Sequence, residues 1–145
     1  MNKTHIDLAK ERGRGIEALK GTNVPAVFCD AVKVQLEECT MLFISGKVGV
    51  RPDGTLAGRT MREQTQQTLE NIREVLQREG ATMDDIVRVR VYATQVDSAS
   101  LRDIHDVRSK FWTQGKYPAS TLVRVDQLIR DGAIIEIDAD AVIAS

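Results

Sequence analysis

From Ile134 to Ile143 the chain reads Ile-Ile-Glu-Ile-Asp-Ala-Asp-Ala-Val-Ile, with apolar and acidic residues alternating at a period of two. Only an extended strand sorts such a run onto two faces, because successive side chains of a strand point to opposite sides. One face must then be buried against the rest of the chain. The other carries carboxylates with partly apolar neighbours, the kind of surface a second subunit covers, so a homo-oligomer is expected.

Cover for the first face comes from two amphipathic segments. Met61 to Glu79 places Met61, Thr65, Thr68, Leu69, Ile72, Val75 and Leu76 at steps of three and four, which predicts a helix with one apolar stripe, stopped by Gly80. Ser98 to Trp112 repeats the spacing through Leu101, Ile104, Val107, Phe111 and Trp112, with Ser98 or Ser100 as N-cap. Between them Ile86 to Tyr92 alternates valines with Arg88 and Arg90, a strand with one wet or cleft-facing side. Val27 to Val34 and Thr40 to Ser45 read as strands joined by a hairpin at Gln35-Leu36-Glu37-Glu38, and Arg51-Pro52-Asp53-Gly54 has turn chemistry. Thr121 to Val125 is a further strand. The predicted order is β-β-α-β-α-β-β, an α+β fold with two helices on one face of a mixed sheet. Residues 1–24 lack a clear period and read as an N-terminal extension; residues 25–145 read as a single domain.

Charge narrows the partners. Twenty basic residues nearly cancel 21 acidic ones without long runs of either sign, which disfavours nucleic acid. Cys29 and Cys39 lack Cys-x-x-Cys spacing and companion histidines, so they read as free thiols in a reducing compartment, with no metal expected. Met1 to Arg14 offers no apolar core of a secretory signal, and no segment approaches the roughly 20 apolar residues that span a bilayer. A cytoplasmic location and no membrane partner are expected.

Several segments together resemble the reactive intermediate deaminase family, also called the Rid or YjgF family, over roughly Pro25 to Ile143. Phe28-Cys29-Asp30-Ala31-Val32 is similar to the family's Tyr-Ser-x-Ala-Val, and Leu42-Phe43-Ile44-Ser45-Gly46 to its Phe-x-Ser-Gly. To these are added Gln64-Thr65 with Asn71 to Leu76, Asp85 to Tyr92, Tyr117-Pro118-Ala119 and Ile135-Glu136-Ile137-Asp138-Ala139. The resemblance implies a chorismate-mutase-like homotrimer with a cleft between subunits, no cofactor, and hydrolysis of enamine or imine metabolites.

Carried over residue by residue, the resemblance assigns Ser45 with Gly46, and Glu136 on the last strand, to the cleft. Phe28 stands where the family has tyrosine, His105 where it has asparagine, and Ser120 where deaminating members have the arginine that grips the substrate carboxylate. A charge-assisted contact of that kind contributes roughly 1.5 to 3 kcal/mol, so its loss should disable action on simple 2-imino acids. Arg124 shares a strand face with Ser120 and is a substitute cation or a surface salt bridge; Lys47, Arg88 and Arg90 are further candidates.

Glu136, between isoleucines, reads as a proton donor or water-orienting group whose burial raises its pKa, or as a structural carboxylate at an interface. His105 is a hydrogen-bond donor or proton carrier, or a solvated helix residue. Cys29 is disfavoured as a nucleophile because strand alternation turns it away from Phe28. The expected function is a cofactor-independent deaminase-type hydrolase acting on a 2-aminoacrylate-like or aminomuconate-like small molecule. The alternative is a non-catalytic trimer that binds a small molecule or protein.

Overall fold

The computed structural model describes residues 1–11, 22 and 24–145 of the chain. Its elements are β1 (Asn2–Ile6), α1 (Leu8–Glu11), β2 (Ala31–Gln35), β3 (Cys39–Val48), α2 (Met61–Arg78), β4 (Ile86–Ala93), α3 (Ser98–Arg108), β5 (Ala119–Arg124) and β6 (Ile135–Ala144). The six strands form one sheet in the order β1-β2-β3-β6-β4-β5. All neighbours run antiparallel except β4 and β5, whose parallel pairing is made possible by the α3 crossover. The sheet is mixed and two helices pack on it, as the alternation required.

Helix α2 begins where Thr60 accepts a hydrogen bond from the Glu63 amide at 3.1 Å and its hydroxyl donates to Glu63 Oε1 at 2.8 Å. It ends at Gly80, whose φ of +72° suits glycine and lets Ala81 N–H reach the Leu76 carbonyl at 2.9 Å. The whole predicted stripe is buried, together with Gln64, which sequence periodicity alone passes over. The Gln64 amide donates to the carbonyls of Gly58 and Gly132 and accepts from Ile134 N–H at 2.9 Å, which ties the helix start to the entry of β6. Helix α3 is capped by Asp97, not by Ser98 or Ser100: the carboxylate accepts from Ser100 N–H at 3.0 Å and satisfies the free amides of the first turn better than a hydroxyl inside it. Arg62 joins the two helices through Asp103 and Asp106.

Leu42, Val89, Val91, Ile135, Ile137, Ala139 and Ala141 of the central strands are at most 1% exposed beneath Leu69, Ile72, Leu76 and Ile104. Each leucine, isoleucine or valine so removed from water contributes roughly 1.5 to 3 kcal/mol, which makes this layer the main source of stability.

At the amino terminus, ordered structure does not wait for Val27. Asn2–Ile6 is an edge strand paired with β2, and Val27 to Asp30 precede β2 as irregular chain. The strand carries four exposed residues and a buried Ile6, so it offers periodicity nothing to find; its register comes from ladder hydrogen bonds, from Ile6 and Leu8 in the core, and from Leu8 N–H on the Asp30 carboxylate at 2.7 Å.

Candidate functional site

The register of β6 divides its side chains. Its odd-numbered residues from Ile135 to Ala141 face the helices; Glu136, Asp138 and Asp140 face the opposite side, where no described helix lies. On that face Tyr92 stands beside Glu136, Arg90 beside Asp138 and Arg88 beside Asp140, all from β4. From β3, Val48 opposes Glu136 and Phe43 opposes Asp140.

Between Ile44 and Lys47 the β3–β6 register shifts, so that Ser45 and Gly46 together oppose Asp138. This bulge inserts one residue and re-aims the strand. Gly46 meets Glu136 there. A Cβ built on it would lie 2.8 Å from Glu136 Oε2, so only glycine leaves the carboxylate this seat. The Ser45 hydroxyl donates to the Cys29 carbonyl at 2.6 Å and its amide to the Asp30 carbonyl at 2.9 Å, which fixes the segment that carries Phe28 against the bulge. Phe28, one residue before Cys29, is 40% exposed.

Glu136 holds its proton above the usual carboxylate range, because burial penalises the charged form and, second, because Asp138 is negative. Arg90 donates to Asp138 at 2.8 Å and to Asp140 at 3.2 Å, and Tyr92 Oη donates to Asp138 at 3.3 Å. Burial and the neighbouring Asp138 push the Tyr92 phenol up in turn.

Of the residues singled out in the sequence, one chain brings Glu136, Ser45 and Gly46 together, and Ser45 holds Cys29 and Asp30, the two residues that follow Phe28. The chain does not bring Ser120, Arg124 or His105 to that place. Ser120 and Arg124 pair with Val89 and Ala93, on the sheet face that carries the core, whereas Glu136 is on the other. His105 is exposed on α3 and its Nδ1 lies 2.8 Å from the Leu101 carbonyl, so in the neutral ring Nε2 is the acceptor. Lys47 is spent on an ion pair with Asp30, and Arg90 on two aspartates; Arg88 makes no ion pair among the described residues.

Cys29 precedes β2, so strand alternation does not orient it; its thiol is held by the Ala31 carbonyl at 3.4 Å and lies 3.8 Å from His5 Nδ1. Sequence reasoning missed Tyr92, Asp138 and Asp140 as members of the site. The signal was two alternating strands of opposite charge, one with arginines and one with carboxylates, which pair only in one register. Among the described residues no three histidine, cysteine, aspartate or glutamate side chains gather as metal ligands, and no helix is long and apolar enough to cross a membrane.

Comparison with known proteins shows the family of the chain. Residues 24–143 match the family model described as endoribonuclease L-PSP. A RutC family protein of Pyrococcus abyssi is 30% identical over 115 residues, 79% of this chain and 84% of its own length. The 2-iminobutanoate/2-iminopropanoate deaminase of Dermatophagoides farinae is 31% identical over 104 residues, 70% of this chain and 77% of its own length. Among solved structures, a member of the YjgF/YER057c/UK114 family from Mycobacterium tuberculosis superposes with a TM-score of 0.70 at 26% identity, covering 97% of this chain and 98% of the other.

Proposed function

This chain belongs to the endoribonuclease L-PSP family, the Rid or YjgF family of the sequence resemblance, and from that membership we propose that it is a cofactor-independent deaminase of enamine or imine metabolites. The observation that carries the reading is Glu136: a carboxyl seated over a glycine, opposed by no cation, and protonated above the usual range.

Such a group suits the chemistry. Glu136 gives its proton to the enamine β-carbon, the C=C pair forms the new C–H bond, and the nitrogen lone pair makes a C=N bond. Water then adds to the imine carbon and, after proton transfer to nitrogen, ammonia leaves as the carbonyl forms. Ionised Glu136 recovers a proton from the attacking water, so the cycle needs no other reagent.

The cleft of this reading lies between copies of the chain in a homotrimer. The uncovered sheet face carries Phe43 at 41% exposure with Val32, Val34 and Met41 around it, apolar area that a second copy would bury. Ser120, Arg124 and His105, which one chain keeps away from its own Glu136, reach a shared cleft only from a neighbouring copy. The setting is the cytoplasm and catabolism of small unsaturated amino acids, without nucleic acid as partner.

Ammonia release from freshly generated 2-aminoacrylate and from an aminomuconate-type enamine tests it. The native chain should hydrolyse one of them, and Glu136→Gln should lose at least a hundredfold in kcat, at the lower end of what a general acid contributes. A native chain inert toward both would sink the deaminase reading. One observation favours a second reading, binding without turnover: Ser120 occupies the family's arginine position, and Arg90, one cross-strand pair away from Glu136, is already paired with Asp138 and Asp140.

A further inference from the structure

The three cross-strand pairs on the uncovered face differ in kind. Asp138 and Asp140 are opposed by arginines, whereas Glu136 is opposed by a phenol. The hydrogen bonds sharpen the difference. Arg90 reaches Asp138 Oδ1 at 2.8 Å, and Tyr92 turns its donor away from its own opposite number to Asp138 Oδ2 at 3.3 Å. Both oxygens of Asp138 are therefore engaged, and Glu136 has no hydrogen-bond partner among the described residues.

We infer that Asp138 is a positioning residue of the Glu136 site: clamped by Arg90 and Tyr92, its carboxylate is held on the same strand face and governs when Glu136 is available as a proton donor. The inference rests on the reading of Glu136 as the proton donor. Residues two apart in a strand stand roughly 6 to 7 Å from each other on one face, close enough for two carboxylates to repel appreciably where water is partly excluded.

The groups around Glu136 leave few other sources of that repulsion. Tyr92 faces it from β4, with Arg90 one pair further along. From β3 come Gly46 and Val48, which carry no charge, while Lys47 is turned to Asp30. Arg90 lies beyond Asp138 as seen from Glu136, so it locks the aspartate without becoming the partner of the glutamate. Tyr92 contributes by default: with its proton committed to Asp138, it does not stabilise an ionised Glu136.

Two charge-changing variants with opposite expected signs test the idea. In Asp138→Asn the amide keeps the shape and an acceptor but loses the charge, and the midpoint of the Glu136 carboxyl, followed by ¹³C NMR in the intact protein, should fall by roughly half a unit or more. In Arg90→Gln the cation goes and the aspartate stays, so the same midpoint should rise. Loosening of the strands alone would shift both variants in one direction.

The rates should follow the titrations. On the alkaline side, where the protonated fraction limits turnover, half a unit corresponds to about threefold, lost in Asp138→Asn and gained in Arg90→Gln, with little change on the acid side. A Glu136 midpoint that does not move in Asp138→Asn, with the fold intact by its amide spectrum, overturns the inference. An inert native chain would overturn the deaminase reading instead, and the titration, which needs no turnover, would still decide this one. Active enzyme with superimposable pH profiles in all three forms would refute the inference and spare that reading.

Discussion

Along β6 the residues that face the helices, Ile135, Ile137, Ala139 and Ala141, are at most 1% exposed, whereas Glu136, Asp138 and Asp140 stand half-buried on a face no described helix covers. Both rows hang from the same backbone and the same ladder of hydrogen bonds. The first is built of shapes that exclude water and interlock; the second of charges that must each find an opposite or keep a proton. A strand can thus supply stability and chemistry at once, because alternation keeps the two sets of side chains from competing for the same space.

Substitutions on either row should break that comparison in different ways. The largest effect belongs to the covered row: Ile137→Ala removes a fully buried side chain and should cost roughly 2 to 5 kcal/mol in urea unfolding, wherever assembly is held constant. Next, on the uncovered face, Phe43→Glu should leave the monomer fold in place by far-UV circular dichroism while shifting the protein to a smaller species in size-exclusion chromatography; an unchanged elution volume would remove the face from the proposed interface.

Glu136→Gln is expected to act in the opposite sense to a core variant. The folded carboxyl binds its proton more tightly than the unfolded one, so its contribution to stability is complete below the ordinary value of 4.5 and is lost as pH rises through the raised folded value. The neutral amide escapes that loss. At pH 8 the variant should therefore melt higher than the native chain, with the gap closing toward pH 4, and a native chain that melts higher at pH 8 would contradict the assignment. Smallest of all is Gly46→Ala. The added methyl meets the flexible end of Glu136, which can swing aside, so unfolding should change by no more than about 0.5 kcal/mol while turnover drops with the displaced carboxylate.

How much of this was legible in the sequence follows from the same division. The buried stripe of α2 and the acidic alternation of β6 were readable because burial imposes a period, and Met61 through Leu76 obey it residue by residue. Edge strand β1 was not, since an edge needs only one buried side chain and borrows its register from β2. For the site, Ser45, Gly46 and Glu136 could be named from their resemblance to family motifs, and the fold does bring them together. What no single-strand pattern contains is pairing. That Tyr92 falls beside Glu136, and Arg90 beside Asp138, depends on the register between β4 and β6, and that Ser120 and Arg124 fall on the core side depends on the register between β4 and β5. The Asp97 cap was passed over for a simpler reason: two serines nearby satisfy the same rule, and only geometry chooses.

The close seat of Glu136 on Gly46 has a consequence for anyone who would vary this protein. Positions 46 and 136 lie ninety residues apart in the chain yet share one small volume. In a library randomised at both and selected for turnover, the accepted sequences should not be the product of two independent lists: glutamate at 136 should occur with glycine at 46, and a larger residue at 46 only with the shorter carboxylate of aspartate at 136. The pair would behave as a single inherited unit, and an attempt to enlarge the cleft for a bulkier substrate would have to trade volume between the two within one step.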